Sequence, residues 1–108
     1  MSANLGDFEQ LVLLALVRLG QGAYGVSVRQ EIEERTGRDV SLGAIYKTFD
    51  RLAAKGLVRS SLGEPSAQRG GRRKRHYQVE ASGEDALHGA LSDLRAMTSD
   101  LAPRWRGP

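Results

Sequence analysis

The sequence predicts a mainly α-helical domain with one small β-hairpin, and three observations predict it. Apolar residues recur at helical spacing in four separate stretches. Two short alternating stretches lie between the third and the fourth. A segment rich in Gly, Ser and Arg joins those two, too long for a tight turn. At 108 residues the chain is one domain, large enough to bury a core without cross-links. It has no cysteine, which excludes disulfides, a thiolate metal site and a thiol nucleophile, and fits a reducing cytoplasm.

The first helix is expected from about Asp7 to Leu19. Phe8, Leu11, Val12, Ala15, Leu16 and Leu19 share one side, while Leu13, Leu14 and Val17 fill much of the rest. A helix apolar nearly all round is covered on more than one side, which in so short a chain points to a second subunit. Gly20 and Gly22 end it. A second helix follows from Gly25 to Thr36, with Val28 and Ile32 inward and Gly37 as its stop.

Residues 40–56, VSLGAIYKTFDRLAAKG, form the third. Ser41 can cap it by accepting from the free amides of the first turn. Leu42, Ile45, Phe49 and Leu52 make one narrow apolar stripe, and Gly56 stops the helix. The opposite face takes Ala44, Lys47, Thr48 and Arg51, with Tyr46 and Asp50 at the border.

LVRSSLGE and KRHYQVE then read as strands, with PSAQRGGRR as the connecting loop. Beyond Glu80, Ser82 and Asp85 have the spacing of a capping box. Leu87, Leu91, Leu94, Thr98 and Leu101 alternate steps of four and three, the rhythm of a helix seeking a partner, before Pro103 ends it.

The net charge is only +3, but its distribution is uneven. Arg69, Arg72, Arg73, Lys74 and Arg75 supply five of the sixteen basic residues within seven positions. With a pI near 9.7, such a cluster suits a polyanion. Helix-helix-helix-strand-loop-strand-helix is the order of a winged helix-turn-helix with one further C-terminal helix. In that arrangement the polar face of the third helix enters a major groove, and the basic wing follows phosphates of double-stranded DNA. An arginine at the wing tip could enter a narrow minor groove. Each feature also has a plainer reading: the basic run as a solvated loop, Lys47 and Arg51 as ordinary surface charges, Thr48 and Ala44 as filler. Tyr46 reads as a packing residue whose hydroxyl reaches a phosphate, and Tyr77 as a core aromatic.

Other chemistries find little support. His76 and His88 lie on different elements, without a carboxylate or cysteine cluster around both, so no metal or other cofactor is expected. No nucleophile elbow, phosphate-cradling loop or carboxylate pair appears, which argues against an enzyme. The N-terminus lacks the pattern of a signal peptide, and the longest apolar run, Leu11 to Val17, is far short of a membrane span.

GAIYKTFDRLAAKGLV and GGRRKRHYQVEASGEDAL together resemble the PadR family of bacterial winged-helix regulators. The family's Tyr-x-x-Leu-x-x-Leu-x-x-x-Gly-Leu pattern stands here as Tyr46, Phe49, Leu52, Gly56 and Leu57, with Phe49 for the usual leucine. Its strand signature stands as Arg75, Tyr77, Val79 and Gly83, with Ala81 for threonine, and Tyr24-Gly25 is another shared feature. The resemblance implies a homodimeric repressor on a pseudo-palindromic operator, of the compact branch with a single C-terminal helix. Residues 1–80 would be the DNA-binding unit and 81–108 the dimerisation helix and tail, together one compact body. The expected DNA contacts are Ser41, Ala44, Tyr46, Lys47, Thr48, Arg51, Arg69, Arg72, Arg73, Lys74 and Arg75. The expected dimer contacts are Leu13, Leu14, Val17, Leu87, Leu91, Leu94 and Leu101. The resemblance also allows a small-molecule effector at the dimer centre, near the first helix and Trp105, although the favoured reading of Trp105 is that it packs the end of the last helix or sits in a disordered tail. The alternative is a winged-helix module that binds protein or RNA without reading duplex DNA.

Overall fold

Helix α1 (Asp7–Leu19) is the hub of a structure described over residues 4–63 and 74–101 by a computed structural model. Its neighbours are helices α2 (Gly25–Thr36), α3 (Leu42–Ala54) and α4 (Ala81–Thr98), and strand β2 (Arg75–Val79). Strand β1 (Val58–Leu62) pairs antiparallel with β2, in a register that runs from Val58 opposite Val79 to Leu62 opposite Arg75. The three-helix unit, the hairpin and the final helix appear in the predicted order, and the first two helices have the predicted bounds. The described part is a winged helix-turn-helix followed by one more helix.

Local chemistry ends most of these elements. Ser41 Oγ accepts from the Ala44 amide at 3.1 Å and starts α3. Gly37 closes α2 at φ +72°, a left-handed turn that residues with a Cβ adopt at a cost. At α4 the predicted capping box does not form. The helix begins at Ala81 with Glu80 as its N-cap, and the Ser82 hydroxyl instead donates to the Gly56 carbonyl at 2.7 Å. Ser82 thus fastens α4 to the turn after α3. The Glu80 amide adds to the joint by donating to the Leu57 carbonyl at 2.9 Å.

One core serves all the elements. Val12, Leu13, Val28, Ile45, Phe49 and Leu52 are sealed from water, and each contributes roughly 1.5–3 kcal/mol by burial. Phe49 stacks on Tyr77 with 3.8 Å between ring centres, which binds α3 to the hairpin. Burial pushes the Tyr77 phenol above its ordinary value, against a smaller opposing pull from Arg75. The Tyr77 amide donates to Ala23 O at 2.9 Å, so the turn before α2 lines the free edge of β2.

Two expected dimer contacts fall in this core. Leu13 is fully buried and Leu87 is 6% exposed within a single chain, both inside the common core. Their apolar atoms are already covered, so neither is an interface residue. Leu14 and Leu91 are half-buried, whereas Val17 and Leu94 stay half exposed. Beyond Leu91 the rest of α4 is exposed, and it ends in Met97 and Thr98.

Glu9 is the only buried carboxylate among the described residues. Lys55 Nζ, just past the end of α3, donates to both of its oxygens at 2.8 and 2.9 Å, and the Gly6 amide donates at 2.7 Å. Burial alone would raise the pKa of this carboxyl. The Lys55 and Gly6 hydrogen bonds, with the charges of Lys55 and Arg51, outweigh that and hold it below 4.5.

The close approach at Gly83 and the Glu9–Lys55 pair can both be tested by substitution. A Cβ on Gly83 would lie 2.3 Å from the Leu57 carbonyl oxygen, which is backbone and cannot swing aside. Gly83→Ala should therefore cost about 1–3 kcal/mol despite alanine's better helix propensity, read as a lower denaturation midpoint. A lowered carboxyl pKa means that the charged form stabilises the fold. That stability is fully present above pH 4.5 and is lost as pH falls from there through the folded value. Glu9→Gln should be less stable at neutral pH and show a shallower loss on acidification, measured by chemical unfolding across that range.

Candidate nucleic-acid interface

The exposed face of α3 is set by what its other face must bury. With Ile45, Phe49 and Leu52 in the core, Lys47 and Arg51 stand outward one turn apart. Ala44 lies half-buried on the same strip, and Ser41 is exposed at its N-terminal end. Lys47, Arg51, Ala44 and Ser41 therefore share one accessible surface. Thr48 does not join them. It stands roughly 80° from the centre of the apolar stripe, at its border rather than opposite it. Its hydroxyl donates to the Ala44 carbonyl at 2.8 Å, and this internal bond lets the side chain go to 2% exposure. Thr48 is a packing residue at the border of the stripe, whereas the reading of helical spacing places it among the outward DNA contacts.

Tyr46 leans the other way, over the start of α2. Its ring end fits where Gly25 has no side chain: a Cβ there would come within 2.7 Å of Tyr46 Cζ and Oη. The ring also meets Phe49 edge-on at 6.1 Å, yet 43% of the residue remains exposed. This close seat is where the two helices of the helix-turn-helix meet, and it gives Tyr24-Gly25 a physical meaning.

The loop end of the hairpin reaches the residue before Gly25. Lys74 Nζ sits 4.3 Å from the centre of the Tyr24 ring, and His76 flanks that ring at 6.4 Å. Arg75 is exposed, with its guanidinium donating to Ser60 Oγ across the ladder at 3.0 Å. The N-terminus of α2 thus touches the loop end of the hairpin through Tyr24 and α3 through Gly25. Arg69, Arg72 and Arg73 lie outside the described residues, as does Trp105.

Two contacts escaped sequence reasoning. Glu9–Lys55 joins positions 46 residues apart, and nothing local sets Glu9 apart from Asp7 and Gln10 in the same first turn. The seat of Lys74 on Tyr24 had no local sign. Among the described residues no group of three or more His, Asp or Glu is placed to hold a metal, and no helix is long and apolar enough to cross a membrane.

A helix-turn-helix with an exposed cationic strip and a two-stranded wing is the architecture of a DNA-binding transcriptional regulator. Comparison with known proteins gives the class its particular place. The model of the PadR-like family of transcriptional regulators matches residues 13–89, and the chain belongs to that family. A PadR family transcription regulator from Clostridium difficile R20291 superposes with a TM-score of 0.73 at 22% identity, covering 89% of this chain and 95% of its own. A PadR-like regulator from Bacillus cereus strain ATCC 14579 gives 0.73 at 18%, covering 94% and 93%. The complex structure of hsRosR-S4 gives 0.69 at 28%, covering 94% of this chain and 80% of its own. No curated protein matches the chain.

If the outward strip of α3 is the reading face, Lys47→Ala and Arg51→Ala should each weaken duplex binding by about 1–3 kcal/mol while leaving thermal unfolding nearly unchanged. Thr48→Val should do the reverse, altering stability and leaving affinity within about twofold, in titrations of a labelled duplex.

Proposed function

We propose that this regulator is a homodimeric repressor whose two α3 helices enter successive major grooves of a pseudo-palindromic operator. The observation that carries this reading is that two successive residues at the start of α2 take these contacts, Tyr24 seating Lys74 of the hairpin and Gly25 seating Tyr46 of α3. It favours one continuous positive surface over two separate ones. On that surface Lys47 and Arg51 meet base edges or phosphates. Ser41 and Ala44 allow close approach, and the Tyr46 hydroxyl reaches a phosphate. Arg69, Arg72, Arg73, Lys74 and Arg75 hold the flanking backbone.

The dimer would form through the C-terminal half of α1 and the outer part of α4. Val17, Leu94 and Met97 are exposed there, with Leu14 and Leu91 at their edge and Leu101 beyond the helix end. An exposed apolar helix face of this kind supports a partner helix. Residues 1–80 then read DNA and residues 81–108 dimerise. A small-molecule effector would sit beside this interface, next to the open groove between Leu16, Val17, Gln78 and Val79. Repression follows from excluding polymerase, in the cytoplasm.

Selection of bound genomic fragments, followed by footprinting, tests the proposal. The expected result is two protected half-sites roughly one helical turn apart. Neutralising Arg69, Arg72 and Arg73 should flatten the plot of log affinity against log salt, by about 0.9 for each phosphate they no longer neutralise. A single unpaired footprint, a preference for folded RNA, or a slope indifferent to those arginines would overturn it.

A further inference from the structure

Tyr24 has no role in the core and none in the reading strip, yet its surroundings are highly ordered. Its backbone is fixed at the first turn of α2. The Tyr24 amide donates to Ser27 Oγ at 3.0 Å, and the Ser27 hydroxyl donates back to the Tyr24 carbonyl at 2.9 Å. That carbonyl also accepts the Val28 amide at 2.9 Å. The adjoining Ala23 carbonyl is tied to Tyr77 of β2. A ring carried on such a backbone has little freedom beyond its own two torsions.

Over this ring lies the ammonium of Lys74, 4.3 Å from its centre, within the range of a cation–π attraction. Lys74 is at the loop end of the hairpin: its carbonyl accepts the Gly63 amide at 2.8 Å, one step beyond the last residue pair of the ladder. The side chain is exposed, so without the ring it would sample many rotamers. With the ring its charge is held at the joint where Tyr46 of α3 meets Gly25. Ordering a long cationic side chain before the duplex arrives removes part of the cost of ordering it on contact.

We propose that Tyr24 is a positioning residue for DNA binding: its ring parks the Lys74 ammonium beside the helix-turn-helix joint, where it meets a backbone phosphate. Tyr24 itself need not touch the duplex. The effect belongs to the aromatic face, so phenylalanine should substitute and an aliphatic side chain of similar size should not. This inference rests on the proposed placing of the hairpin against the duplex.

The test is a double-mutant cycle of Tyr24→Leu and Lys74→Met, with Tyr24→Phe as the conservative variant. Binding is read as affinity and salt slope on a labelled duplex recovered in the genomic selection. Lys74→Met should weaken binding and lower the slope by about 0.9, the contribution of one neutralised phosphate. Tyr24→Leu should weaken it by about two- to fivefold, the scale of an exposed cation–π pair. Tyr24→Phe should match the unmodified protein, and Tyr24→Leu should add nothing once Lys74 is methionine. If Lys74→Met leaves affinity and slope unchanged, the hairpin does not lie on the duplex and the inference falls with that reading. If Lys74→Met weakens binding while Tyr24→Leu does not, or the two effects simply add, the placing of the hairpin stands and the role of Tyr24 is wrong. A second readout does not require the leucine variant to fold. In the unmodified protein the Lys74 ε-methylene protons should be shifted upfield by the ring current of Tyr24. An unshifted resonance would overturn the proposal.

Discussion

Phe49 and Tyr77 stack almost in parallel, and through that one contact α3, with its exposed cationic strip, and strand β2 share an orientation. Phe49 lies on the buried side of α3, so holding it holds Lys47 and Arg51 outward. Tyr77 lies on the core-facing side of β2, so holding it sets which way Lys74 and Arg75 leave the body. An aromatic pair of this kind contributes about 0.5–1.5 kcal/mol beyond the area it buries. Its larger consequence is directional, since two flat rings in contact restrict rotation about the helix axis more than aliphatic neighbours would. Phe49 stands where the family's pattern has leucine, and the partner ring of Tyr77 accounts for what the larger side chain does here.

Around that stack the chain repeatedly uses the backbone near glycine to bring elements close. Gly25 admits Tyr46, and Gly83 admits the Leu57 carbonyl. Both approaches would be blocked by a single carbon. The two joints serve different ends: the first seats α3 on α2, and the second seats α4 on the start of the hairpin. The charged contacts act differently. Glu31 accepts from both Arg18 and Arg35, at 2.9 and 2.6 Å, and Asp7 pairs with Arg38 at 3.1 Å. The arginines and Asp7 are well exposed, so these pairs contribute little individually. Glu9–Lys55 differs because its carboxylate is buried and saturated with donors. It fixes the end of the reading helix to the start of α1, the helix whose far end shows the exposed Val17.

Much of this was legible from local pattern. The first three helix periods, the Ser41 cap, the glycine stops and the two strands depend on neighbours within a few residues, and they appear where the pattern puts them. Helix α4, by contrast, ends at Thr98, short of the Leu101 that the pattern includes. The helix-turn-helix and wing followed from their order. So did the outward position of Lys47 and Arg51, because an apolar stripe on one face leaves the opposite face to water. Apolar residues said less about where they would be used. Leu13 and Val17 are both strongly apolar and one turn apart, yet the first is sealed in the core and the second is exposed. Their difference is made by the position of α4 and β2, which periodicity does not encode.

The elements, their order, the site of the core stripe and the local excess of positive charge were readable from the residues, since each arises from contacts within a turn or from composition. Only the tertiary structure decided that Thr48 is buried, that Ser82 fastens a turn instead of capping a helix, that Glu9 meets Lys55, and that Lys74 rests on Tyr24. Each of those depends on a partner distant in the chain or on the tilt of one element against another. A hydroxyl can satisfy itself on its own helix or reach elsewhere, and a lysine can point anywhere until an aromatic face is brought beneath it.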